Sequence, residues 1–120
     1  MMKYILVFFL CLLVLLFPGF SDARGYLELS PGECISLYGG AVKDIGSLRD
    51  SGFSERDVMV SYDEFVRNSK FDPSSPEVLV IKDLIRDVFK DPKRPLGDIY
   101  QEKVSECFLF KGRIAPRPRT

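Results

Sequence analysis

The sequence predicts an all-α fold: a small four-helix bundle closed by one disulfide, after a cleaved signal peptide. Three observations carry this. An apolar run at the N-terminus is followed by a chain that is much more polar. Three Ser-x-x-acid patterns open stretches of helical periodicity. Two cysteines beyond the apolar run fall in the first of those stretches and in a fourth, C-terminal one. At 120 residues the chain has room for one domain.

Lys3 forms a short positive region ahead of the run Tyr4 to Phe17 (YILVFFLCLLVLLF), which breaks at Pro18-Gly19. Ser21 and Ala23 then supply small residues two apart, as signal peptidase prefers. The run is shorter than the ~20 residues of a spanning helix. Cleavage is expected after Ala23, with Ser21 as the alternative, giving a signal peptide over 1–23. Cys11 follows Leu10 within the apolar run, which does not fit a lipoprotein signal.

Residues 24–30 form a lead-in that offers Tyr26 or Leu27 to the core, and the helical domain covers 31–111. Its first helix runs from Pro31 to Asp50, opened by Ser30 with Glu33 and stopped by Ser51-Gly52. Ile35, Tyr38, Val42, Ile45 and Leu48 mark its apolar side. Gly39, Gly40 and Gly46 each cost up to ~1 kcal/mol relative to Ala in a helix. They are read as close-packing positions against another helix of the domain, the alternative being a partner backbone.

The second helix, Glu55 to Asn68, starts with Ser54 and Asp57 and turns Val58, Tyr62, Phe65 and Val66 inward. A polar loop with Phe71 as its apolar anchor leads to the third helix, Pro76 to Lys90. There Ser74 with Glu77 is the expected cap. Val78, Ile81, Leu84, Ile85, Val88 and Phe89 form a wide apolar face opposite Lys82, Asp83, Arg86 and Asp87. Asp91-Pro92 ends this helix, because the residue before proline avoids helical geometry. The fourth helix extends to about Lys111, with Ile99, Tyr100, Val104, Cys107 and Phe108 apolar and Gly112 as terminator. Phe108, Leu109 and Phe110 are consecutive, so one helix face cannot bury all three.

With the signal removed, Cys34 and Cys107 remain, an even pair in an exported chain, and are expected to form a disulfide. They would tie the first turn of helix one to the last turns of helix four, two ends that share a side in an up-down-up-down bundle. Closing a loop of about 74 residues is worth about 4–5 kcal/mol in the chain-entropy model. No C-x-x-C spacing supports a redox pair instead.

Composition narrows the chemistry. The chain has no His, which removes Ser–His and Cys–His nucleophile pairs, imidazole acid–base catalysis and His-ligated zinc. The acid pairs Asp83/Asp87 and Glu102/Glu106 alternate with basic residues and read as solvated helical charge. The glycines match no phosphate-loop spacing. No enzyme activity, cofactor or metal is expected.

Formal neutrality conceals a division. Residues 24–110 hold 12 basic and 16 acidic side chains, net −4, whereas KGRIAPRPRT from Lys111 onward carries four cations and no acid. Residues 112–120 form a basic Pro/Arg-rich tail. Lys111, Arg113, Arg117 and Arg119 are its interaction residues if it touches anionic lipid or cell wall. The other reading is a solvated, Pro-extended terminus. An acidic, exported body argues against nucleic acid as a partner.

The stretch from Glu33-Cys34 through Tyr38-Gly39-Gly40 to Arg49-Asp50-Ser51-Gly52-Phe53-Ser54, with Glu106-Cys107 later, resembles small exported bacterial proteins built as a Cys-tethered helical domain. That resemblance implies export and a helical fold. The layout also resembles, more loosely, periplasmic immunity proteins against amidase effectors of type VI secretion, which carry additional Cys. Here the third helix ends Phe89-Lys90-Asp91-Pro92 without one, and no inhibitory residue is transferred. The expected function is that of a non-catalytic, periplasmic or secreted protein-binding module with a protein partner. The alternatives are an envelope-associated factor acting through the tail, and an immunity protein against a secreted hydrolase.

Overall fold

The Ser30 hydroxyl accepts the Glu33 N–H at 3.2 Å while the Glu33 carboxylate accepts the Ser30 N–H at 2.9 Å. This capping box opens helix α1, Pro31–Asp50, and Ser54 with Asp57 repeats it at the start of α2, Glu55–Asn68. In the computed structural model, which describes residues 25–117, two further helices follow: α3, Pro76–Lys90, and α4, Leu96–Leu109. The signal peptide expected over 1–23, Arg24 of the lead-in and Arg119 of the tail lie outside the described residues.

The third cap differs from expectation by one residue. Ser75, not Ser74, accepts the Val78 N–H, and Pro76 follows at the first helical position. Ser74 is engaged elsewhere: its N–H and hydroxyl both donate to the Asp72 carboxylate, at 2.9 and 2.8 Å. Those two bonds hold the Asp72 carboxyl below its ordinary pKa.

Three of the four helix ends follow one pattern, and α3 instead stops at Asp91 in extended geometry. Gly52, at φ +96°, sits past α1, where the Phe53 N–H reaches back to the Leu48 carbonyl and the Gly52 N–H to that of Arg49. The same pair of bonds closes α2 and α4, but with Lys70 (φ 60°) and Lys111 (φ 54°) at the left-handed position. Holding a lysine there costs about 1–2 kcal/mol.

α1 is the central element, packing against α4 and α3 and touching α2, while α2 leans on α3. Its buried stripe is Cys34, Leu37, Tyr38, Ala41, Val42, Ile45 and Leu48, the i, i+3, i+4 rows of one face. Ile35, expected inward, is one step off that stripe and 47% exposed. α3 buries Val80 as well as the expected Val78, Ile81, Leu84, Ile85 and Val88. Cys34 and Cys107 are bonded as a disulfide with their Cα atoms 6.0 Å apart, pinning the start of α1 to the end of α4.

The fold is mostly helical, with one departure from the all-α expectation. The lead-in and the residues after α4 form a two-stranded antiparallel ladder, β1 (Leu27–Glu28) with β2 (Arg113–Ile114). Leu27 pairs with Ile114 and Glu28 with Arg113, and the Leu29 N–H donates to the Gly112 carbonyl at 2.8 Å. Gly112 has φ +77°, and a Cβ on it would lie 1.8 Å from the Leu29 carbonyl oxygen, so only glycine fits this crossing. Leu27 and Leu29 are buried, which makes the lead-in part of the core. Strands this short carry no readable alternation.

Candidate functional site

Asp83 and Asp87 stand one turn apart on α3. Periodicity puts them opposite the apolar face, yet neither is solvated. Their side chains are 12% and 19% exposed, because α4 and the C-terminal segment close over them. Lys103 of α4 brings its Nζ to 2.6 Å from Asp87 Oδ2, and Arg86 reaches Asp83 Oδ1 at 3.1 Å.

The remaining contacts come from the tail. β2 carries the chain away from α4, and Ala115-Pro116 continue it over α3. Arg117 then engages both acids. Its backbone N–H donates to Asp83 Oδ2 at 2.9 Å, and its Nη1 donates to Asp87 Oδ1 at 2.8 Å. Its Nη2 donates to the Asp83 backbone carbonyl at 3.1 Å. Charge-assisted bonds of this kind offset the desolvation of two neighbouring carboxylates, which would otherwise repel.

Beside this cluster lies a groove of about 560 Å³ bounded by α1, α3, α4 and the C-terminal segment. Tyr38, Val80, Leu84, Phe110 and Ile114 give it apolar walls. The acids Asp83, Asp87, Glu102 and Glu106 and the cations Lys90, Arg94, Lys103, Arg113 and Arg117 also line it. Arg94 is ion-paired to Glu102 at the rim, which holds its guanidinium pKa above the ordinary value. The Tyr38 phenol is buried at the base. Desolvation, then the nearby Glu106, Asp87 and Asp83 carboxylates, raise its pKa well above the ordinary phenol value.

The sequence-predicted residues distribute as follows. Cys34 and Cys107 are joined. Gly46 lies beneath Leu96, where a Cβ would come within 2.3 Å of its side chain, and Gly39 faces Tyr100 at 3.5 Å. Gly40 is half-buried on α1. Both neighbours belong to α4, so these are contacts within the domain. Lys111 is exposed, Arg113 lines the groove from β2, and Arg117 lies on the acid pair. Sequence reasoning missed Asp83, Asp87, Lys103 and Tyr38 as a group. The available signal was the opposition of an acidic body to a basic tail. Among the described residues no group of three or more His, Cys, Asp or Glu side chains is placed to hold a metal, and no helix is long and apolar enough to cross a membrane. No family model, curated protein or solved structure matches the chain.

Proposed function

We propose that this protein is an exported, non-catalytic binding module: a four-helix bundle, released from a signal peptide over 1–23, that acts in the periplasm through contact with another protein. The groove beside Asp83 and Asp87 supports the reading, because it combines apolar walls with ordered charges. The Cys34–Cys107 bond is compatible with an oxidising compartment. Crosslinking the processed protein in periplasm is expected to give one stoichiometric protein partner. Recovery as an unaccompanied monomer under several growth conditions would count against the module. A secreted amidase is the first partner to try, on the resemblance to immunity proteins.

A second reading, contact with an anionic envelope surface, has an observation of its own. Phe108, Leu109 and Phe110 are 47%, 75% and 55% exposed beside the exposed Lys111, an apolar and cationic combination that membrane interfaces accept. On this reading the contact lies at the end of α4, since Arg117 is engaged within the molecule. Sedimentation with anionic vesicles, lost on Leu109→Ser with Phe110→Ser, is the expected result. Undiminished sedimentation of that variant removes the envelope reading.

A further inference from the structure

We infer that Asp83 and Asp87 form an arginine-recognition site for an extended, arginine-bearing segment of a partner protein, and that Arg117 fills this site in cis when the partner is absent. The inference rests on the binding-module reading and names the chemistry of its partner.

The acids alone would not carry it; the seated arginine does. One residue, 30 positions along the chain from Asp87, satisfies three acceptors with three different donors, two on the guanidinium and one on the backbone. The backbone bond reads an extended main chain. The guanidinium bonds favour arginine over lysine, because its fixed fork aims one donor at the Asp87 carboxylate and one at the Asp83 carbonyl. Arg117 itself supplies all three of these bonds to α3, so the recognised unit is an arginine together with its own backbone N–H.

The seat is also releasable. The Arg117 side chain remains 53% exposed, so water can reach the bonds it makes. The groove continues past it to Glu106, which makes no ion pair among the described residues and offers a carboxylate to a second cation of the incoming segment. A tethered tail competes at an effective concentration on the order of millimolar, so it sets a threshold for partner affinity without closing the site.

The test is a titration of the full chain carrying Arg117→Ala with a fluorescent peptide of sequence IAPRPRT, followed by polarisation. Saturable binding is expected. It should be about tenfold weaker to the wild-type chain, whose own tail competes, and at least tenfold weaker when Asp87→Asn is added to Arg117→Ala. A lysine peptide, IAPKPKT, should bind at least tenfold more weakly. Absence of saturable binding to Arg117→Ala, or binding indifferent to Asp87→Asn or to the lysine exchange, overturns the site. The wild-type chain gives a second readout that needs no variant. Saturating IAPRPRT should shift the NMR resonance of the Arg117 Nε–H, and an unmoved resonance overturns the inference. Failure here alongside a crosslinked periplasmic partner removes the arginine site alone. Peptide binding without any such partner removes the module reading and leaves the site.

Discussion

The guanidinium of Arg49, one residue from the end of α1, donates from Nη1 to the backbone carbonyl of Val88 in the last turn of α3, at 3.1 Å. The same group donates to the Asp91 carbonyl at 3.3 Å and, through Nη2, to the Arg94 carbonyl at 3.1 Å. Its side chain is only 6% exposed. Arg49 therefore satisfies carbonyls that the end of α3 leaves without helical partners and fixes the turn that aims α4. Its positive charge also lies at the negative end of the α3 dipole.

Replacing Arg49 by Ala strands the part-buried Val88 and Arg94 carbonyls and is expected to cost about 3 kcal/mol, several charged hydrogen bonds being lost together. Arg49→Lys should recover little, since an ammonium on a shorter reach cannot span Val88 and Arg94. Urea denaturation measures both. A lysine variant as stable as the wild type would show that charge alone, and not the fork, holds this corner.

The helix limits were readable in the sequence because their signals are local. Ser30 with Glu33, Ser54 with Asp57 and the left-handed Gly52 each act within one turn of the chain. The choice between Ser74 and Ser75 as a cap was not readable, because it depends on Asp72 capturing Ser74 first. Ile35 was misplaced for a related reason: the stripe through Cys34, Leu37 and Tyr38 tolerates either neighbour until the disulfide orients the helix start. The site was hidden more deeply. Asp83 and Asp87 look like surface from α3 alone, and their burial is due to Lys103 and Arg117, which arrive from later elements. Arg49 likewise appeared only as part of a turn motif, since its acceptors lie about 40 residues on.

The glycines of α1 should separate into two kinds. At Gly39 an added Cβ meets Tyr100 at 3.5 Å, an ordinary contact, so Gly39→Ala is expected to stabilise by about 0.5–1 kcal/mol through helix propensity. At Gly46 it would fall 2.3–2.9 Å from three atoms of Leu96, which must move, so Gly46→Ala is expected to lower the melting temperature. Adding Leu96→Ala should shrink the Gly46→Ala penalty, and a double-mutant cycle with no coupling refutes the contact as its cause.

The disulfide links residues 73 apart in sequence, so its loss releases most of the domain from a long loop constraint. Cys34→Ser paired with Cys107→Ser is expected to cost about 2–5 kcal/mol. Non-reducing peptide mapping should recover the Cys34 and Cys107 peptides joined. A melting temperature little changed by the double substitution would remove the bond from the account of stability.

Alkaline pH should expose the base of the groove. Tyr38 is 4% exposed, and burial followed by the Glu106, Asp87 and Asp83 carboxylates raises its folded-state pKa. Tyr62, fully buried, is raised by burial and then by Asp63 and Glu77. In the unfolded chain a tyrosine releases its proton from about pH 10, while the folded protein still holds it. Proton release then favours the unfolded state. The stabilisation associated with each phenol is therefore complete below about pH 10 and declines as pH rises above it, towards the raised folded pKa. Tyr38→Phe and Tyr62→Phe should each flatten the fall in urea midpoint between about pH 9 and 11. The comparison with wild type cancels the titration of lysines common to both chains. A Tyr38→Phe profile parallel to the wild-type profile over that range would show that the phenol keeps an ordinary pKa and that the groove base is open to water.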